Sequence, residues 1–227
     1  TPMAKPVVPT SGLASKWACS LRRPSLPFWL TACILVQGCG SLPTSTTDPS
    51  FQRRYGDFTY CAVAVARQSR NYTCGPACLS SVLTYWDVEL SEEQILEEYP
   101  TPEPRPYLLL ELQAIAQAEG LKAYIISMAA EPRTKVGEQI GKGRPLICAV
   151  RPPHGRYLFD GAPLLGSAWR TWAWTLNPRQ DHFVVVTGFD SRQVLVMDPA
   201  HGFAAIPWGR FEAAWSPMKH ACLLVSN

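Results

Sequence analysis

The chain has 227 residues, 47% of them hydrophobic and 17% charged, which excludes a wholly disordered or collagen-like protein. The formal net charge of +3 is unevenly placed: residues 1–39 carry Lys5, Lys16, Arg22 and Arg23 and no acid, leaving 17 basic and 18 acidic side chains in the other 188 residues. So nearly neutral a body lacks the basic surplus or patch of a nucleic-acid-binding protein, and no nucleic-acid partner is expected.

Taken in chain order, the first feature is a leader. Arg22-Arg23 precedes Pro24-Ser25 and an apolar run from Leu26 to Val36 that ends in Gln37-Gly38-Cys39. Basic residues, a short apolar core and a small residue before a break are the parts of an export signal. A run this short rises only about 16 Å as a helix, too little for a bilayer core of about 30 Å. VQGC resembles a bacterial lipobox, in which the cysteine is lipidated and becomes the new N-terminus. Cys39 is therefore the expected lipidation site, with plain signal-peptide cleavage as the alternative. With Gly40 rather than Asp after that cysteine, the resemblance implies an outer-membrane anchor facing the periplasm. The Ser/Thr/Pro-rich tract that follows, GSLPTSTTDPS, reads as a tether. The expected division is a leader over 1–39, a flexible tether over 40–56 and a folded body over 57–227.

In the body, FTYCAVAVA (58–66) reads as a strand leading to Gln68. CGPACLSSVLTYW then places Ala77, Cys78, Val82, Leu83 and Trp86 at helical spacing, with Pro76 in the first turn, where its missing N–H costs nothing. SEEQ from Ser91 matches a capping box, and TPEPRP ends that helix. Leu108 to Glu119 reads as an amphipathic helix closed by Gly120. After that the period changes. Ala123–Ser127, Leu146–Val150, Phe183–Phe189, Val194–Asp198 and Ala221–Val225 are short apolar or β-branched runs, and GFDSRQ reads as a hairpin connection. Helices first and strands later predict an α+β fold with a largely antiparallel sheet. Between Val150 and His182 lie 31 residues rich in Pro, Gly and Trp, a length that marks a functional loop more often than a plain connection.

Three features carry chemistry. Gln68 lies six residues before Cys74, which opens a helix; His182 opens the strand HFVVVTGF; Asp198 ends the next strand. A thiol hydrolase needs its cysteine as thiolate, which a helix N-terminus favours. It needs an imidazole that pairs with the sulfur and protonates the leaving amine. It also needs a carboxylate or amide to orient the imidazole and donors for the developing oxyanion, here the Cys74 backbone N–H and the Gln68 amide. Taken singly, each residue has a plainer reading: Cys74 as core, His182 as a satisfied buried histidine, Asp198 as a turn initiator, Gln68 as surface. Their order and their positions at element boundaries argue for the site.

QSRNYTCGPACLSSVL, HFVVVTGF and VMDPAHG together resemble the C39 group of papain-like cysteine peptidases, over roughly residues 60–215. The resemblance implies a papain-like fold, with Cys74 as nucleophile, His182 as acid/base, Asp198 as orienter and Gln68 in the oxyanion hole. It also implies a peptide or protein substrate and no cofactor. Members of the group that process bacteriocin leaders sit in the cytosol at the front of an ABC transporter and cut after a Gly-Gly pair. The export signal sets this chain apart, so neither that specificity nor a bacteriocin substrate is carried over. Two other readings of the same residues stay open. One is an amidase or acyltransferase acting on cell-wall peptides; the other is a catalytically silent peptide-binding module.

GSAWRTWAWTLN, with Trp169, Trp172 and Trp174, reads either as an aromatic wall for peptide or partner beside the cleft or as a flap packed on the body. His201 is a rival base in the turn after Asp198, while His154 and His220 read as surface residues. Cys61, Cys74, Cys78, Cys148 and Cys222 match no zinc spacing, and no metal is expected. Buried free thiols are the expected state of the cysteines other than Cys74, and a disulfide among them is the alternative in an oxidising compartment.

Overall fold

The computed structural model describes residues 45–152 and 181–227. Among them seven strands form one sheet: β1 (Thr59–Tyr60), β2 (Lys122–Ser127), β3 (Leu146–Val150), β4 (His182–Phe189), β5 (Gln193–Asp198), β6 (Gly202–Pro207) and β7 (Ala221–Ser226). The order is β2-β7-β3-β4-β5-β6, with β1 added at the far end of β4. Every pairing is antiparallel. This is the expected α+β arrangement, with the helix that carries Cys74 ahead of the sheet.

The central runs are apolar without a break because both faces of the sheet are covered. Ile147, Ala149, Val185, Leu195, Met197 and Leu223 join one core. It also takes in side chains of α2 (Cys74–Tyr85), α3 (Glu92–Glu98) and α4 (Leu109–Ala118). Their strand neighbours Leu146, Cys148, Val184, Val186, Val196 and Leu224 join the other. That core is closed by α5 (Pro132–Gly141) and α6 (Trp208–Trp215), through Val136, Ile140, Phe211 and Trp215. A strand's period of two then sends alternate residues to two apolar layers rather than to core and water.

The capping box holds: Ser91 Oγ accepts from Gln94 N at 3.2 Å and Gln94 Oε1 from Ser91 N at 2.9 Å. The GFDSRQ hairpin also forms, with Asp190 Oδ1 accepting the N–H groups of Arg192 and Gln193, each at 2.6 Å. Three expectations are corrected. Part of the expected tether is folded: α1 spans Pro49–Tyr55, capped by Asp48. Phe51 on it is fully buried, with ring contacts to Tyr55, Tyr60 and Phe203. An apolar side chain with so many aromatic neighbours overrides the flexible composition before it. The strand expected over 58–66 is only Thr59–Tyr60, because beyond it the chain leaves the sheet edge to reach α2. His220 is mostly buried against Trp215 and paired with Glu212.

Cys39, Trp169, Trp172, Trp174 and His154, with the leader and the first part of the tether, lie outside the described residues. The two ends of the Trp-rich segment are described. Arg151 and Asp181 form a two-pronged ion pair there, at 2.7 and 3.1 Å. Residue 181 immediately precedes His182.

Gly188 sits at a register shift between Val186 and Gly188 where β4 meets both β5 and β1. A Cβ there would lie 2.7 Å from Tyr60 Cβ and 2.8 Å from Thr59 O. Gly188→Ala must push β1 off β4, so a loss of about 1–3 kcal/mol is expected. Thermal unfolding checks it, at about 2–4 °C per kcal/mol for a domain of this size. An unchanged midpoint would mean that β1 adds nothing to stability.

Candidate active site

Helix α2 begins at Cys74 itself. Thr73, the residue before it, does not cap the helix with its side chain. Its hydroxyl instead closes a turn on Arg70, accepting from Arg70 N and donating to Arg70 O, both at 3.0 Å. Thr73 therefore leaves the first amides of α2 uncapped by its side chain, at the positive end of the helix, where an anion is favoured. Gly75 lets this end approach its neighbours. A Cβ there would meet Leu112 Cδ1 at 3.3 Å and Phe183 Cδ2 at 3.4 Å. The missing side chain thus seats the Cys74 end of α2 against α4 and the start of β4.

β4 and β5 are antiparallel and joined by a short turn, so the start of one lies beside the end of the other. Val185 pairs with Met197, which puts His182 and Asp198 within about two residues of direct register. His182 Nε2 lies 3.3 Å from Asp198 Oδ1. That oxygen also accepts the Ala200 N–H at 2.8 Å, and the Asp198 carbonyl takes the His201 N–H at 3.1 Å. A tight turn thus fixes the carboxylate before the imidazole reaches it. Cys74, His182 and Asp198 are all buried, at 3%, 3% and 0% exposure.

Burial is the largest single influence on His182 and pushes its imidazole toward the neutral form. The Asp198 carboxylate, its hydrogen bond and a side-chain hydrogen bond to Cys74 together outweigh that push and raise the pKa from 6.5 to about 10. The ring is then a cation between a thiol and a carboxylate. Desolvation lowers the pKa of Arg67, and the Asp198 carboxylate opposes that shift.

A second cysteine lies one turn further along α2, and its surroundings separate the two. Cys78 is fully buried and its Sγ donates to Phe183 O at 3.4 Å. Burial, then the charges of Cys74 and Asp198, hold its thiol well above the ordinary range. Burial likewise pushes Cys61 up to about 11. All five described cysteines are free thiols, and Cys148 and Cys222 are direct neighbours across β3 and β7. Among the described residues, no three His, Cys, Asp or Glu side chains cluster so as to hold a metal ion.

Gln68 lies in the irregular segment before α2. Its backbone N–H donates to Pro199 O at 3.1 Å, next to Asp198, and its Nε2 donates to Arg70 O at 2.9 Å. Its Oε1 is buried without a hydrogen-bond partner among the described residues. The structure therefore joins Gln68 to the segment that follows Asp198, and His182 to Asp198, beside the start of α2. Against this geometry, a family model described as "Peptidase_C39 like family" matches residues 60–223. The chain belongs to that family.

The fold of this C39-like protein is that of papain-like C39 peptidase domains. It is similar to a double glycine motif protease from an AMS/PCAT transporter, solved in complex with the leader peptide. There the identity is 22% and the TM-score 0.50, over 74% of this chain and 94% of that one. It is also similar to a Bacillus anthracis protein described as a C39-like peptidase, at 16% identity and a TM-score of 0.51, over 73% of this chain and 94% of that one. Both are likenesses of fold. A comparison with curated proteins found no significant match. Within the C39-like framework, one residue of the site was read from sequence only as a helix-start signal. Glu92 is 8% exposed and accepts both the N–H and the hydroxyl of Ser69, beside Gln68. The SEEQ pattern pointed to a helix start, and nothing in it told that the second residue turns back toward residue 69.

Proposed function

We propose that this C39-like protein is a cysteine peptidase of the bacterial cell envelope that hydrolyses peptide bonds of an exported peptide or protein. The observation that carries the reading is the buried His182–Asp198 pair at the end of α2 that begins with Cys74. In the reaction the Cys74 thiolate attacks the scissile carbonyl. His182 gives its proton to the departing amine and then takes one from the water that releases the acyl group. Asp198 keeps the ring oriented. The first amides of α2 and the Gln68 side chain receive the oxyanion. No cofactor enters these steps.

The place of action rests on the leader. Export, followed by lipidation of Cys39, puts the folded body in the periplasm on an outer-membrane anchor. Metabolic labelling with an alkyne fatty acid, with Cys39→Ala alongside, tests the anchor. Label that persists in the variant would overturn it. The chemistry is tested by offering the protein a peptide library and, separately, peptidoglycan fragments. Cleavage of peptides that stops when Cys74 is alkylated supports the peptidase. Turnover of cell-wall fragments alone would assign an amidase, and tight binding without turnover would assign a peptide-binding module.

A further inference from the structure

Outside the proposed catalytic set, the strongest feature is a buried carboxylate gripping the segment that carries Gln68. Glu92 is only 8% exposed, and a carboxylate out of water is costly unless it is hydrogen-bonded. It receives three bonds, all from one residue. Ser69 N donates to its two oxygens at 2.9 and 3.1 Å, and Ser69 Oγ donates to Oε1 at 3.1 Å. Bonds to an ionised acceptor are roughly twice as strong as neutral ones. Holding an N–H and an O–H of the same residue fixes its rotation as well as its place.

The neighbour so fixed is Gln68. One of its two amide hydrogens goes to Arg70 O at 2.9 Å, which leaves the second to donate elsewhere. Its Oε1 is buried and has no hydrogen-bond partner among the described residues, so none of them anchors the amide on the oxygen side. Its aim depends on the 68–73 loop. That loop closes on Thr73 through three bonds to Arg70. It is held from outside by Pro199, which takes the Gln68 N–H, and by Glu92.

We propose that Glu92 is a positioning residue that aims the Gln68 amide at the oxyanion formed on Cys74, a proposal that rests on the peptidase reading. Glu92 acts through Ser69 and the loop that carries Gln68. Its effect appears only in steps that build negative charge on a carbonyl oxygen.

The test uses the full chain with Glu92→Ala, Glu92→Gln, Gln68→Ala and the Glu92→Ala/Gln68→Ala double variant. Acylation of Cys74 by a p-nitrophenyl ester passes through an oxyanion; alkylation by iodoacetamide does not. Losing one oxyanion donor costs on the order of 10²–10³-fold. A donor merely misaimed is expected to cost about 10-fold in acylation, with alkylation unchanged. The double variant is expected to be no slower than Gln68→Ala, as for residues acting as one unit. Glu92→Gln, which keeps an acceptor for the Ser69 N–H, is expected to recover most of the rate. The Gln68 side-chain amide resonances are expected to shift in Glu92→Ala. Multiplicative losses in the double variant, a parallel fall in alkylation, or unmoved Gln68 resonances would overturn the proposal. Should Glu92→Ala not fold, Ser69→Ala removes the hydroxyl bond alone and serves in the same comparison. A parent protein whose Cys74 is never acylated would sink the peptidase reading instead, and the Gln68 resonances would then decide the positioning claim alone.

Discussion

Asp198→Asn is expected to lower kcat by about 10³–10⁴-fold with little change in KM, as the loss of the orienting carboxylate does in a hydrolase triad. The side chain it replaces is fully buried and shares one oxygen between His182 and the Ala200 N–H. Asn preserves the shape and removes the charge. Burial, already the largest influence on His182, is then opposed only by Cys74. The ring falls toward neutral and no longer arrives at the thiol as an acid. A variant within about tenfold of the parent would remove Asp198 from the mechanism.

The same pair makes stability depend on pH, with a definite sign. The folded-state value of His182, about 10, lies above its ordinary 6.5. Its contribution is therefore complete below about 6.5 and is lost as pH rises through about 10. Denaturant unfolding of the parent between those limits is expected to show a falling stability that Asp198→Asn abolishes.

Alkylation of Cys74 by iodoacetamide is the second large effect. At pH 6 an unassisted thiol of pKa about 8.5 is less than one per cent ionised. An imidazolium beside a thiol favours its reaction as thiolate. His182→Ala is thus expected to slow alkylation at pH 6 by about 100-fold, and by far less at pH 9. Peptide mapping separates Cys74 from Cys78, whose thiol burial keeps protonated. Equal rates in parent and variant at every pH would sink the ion pair. A papain-fold binding module would then be the better description of the protein.

Much of the frame was legible in the residues. The period of CGPACLSSVLTYW, the capping box at Ser91 and the apolar runs each carry their element locally, and each formed. Helix α5 escaped because only Val136 and Ile140 of its residues are buried, too few to make an apolar stripe. β6 and α6 follow the Asp198 turn so closely that their signals merge into one aromatic run. α1 escaped because its aromatic contacts are made with residues distant in sequence, as with Phe203.

By itself the sequence determined the fold class, the two cores' raw material and the residues able to do thiol chemistry, because periodicity, capping and residue type are local properties. Only the tertiary structure decided what those residues are to one another. Cys74 stands at the start of α2, while Cys78, one turn on, donates its thiol to Phe183 O inside the core. His182 becomes a cation because two antiparallel strands bring Asp198 beside it, against the pull of burial toward the neutral ring. Glu92 turns from a helix-start residue into a clamp on Ser69 because α3 packs beside the Gln68 loop, 23 residues earlier in the chain. Such pairings arise from chain crossings and exclusion of solvent, and no run of neighbouring residues encodes them.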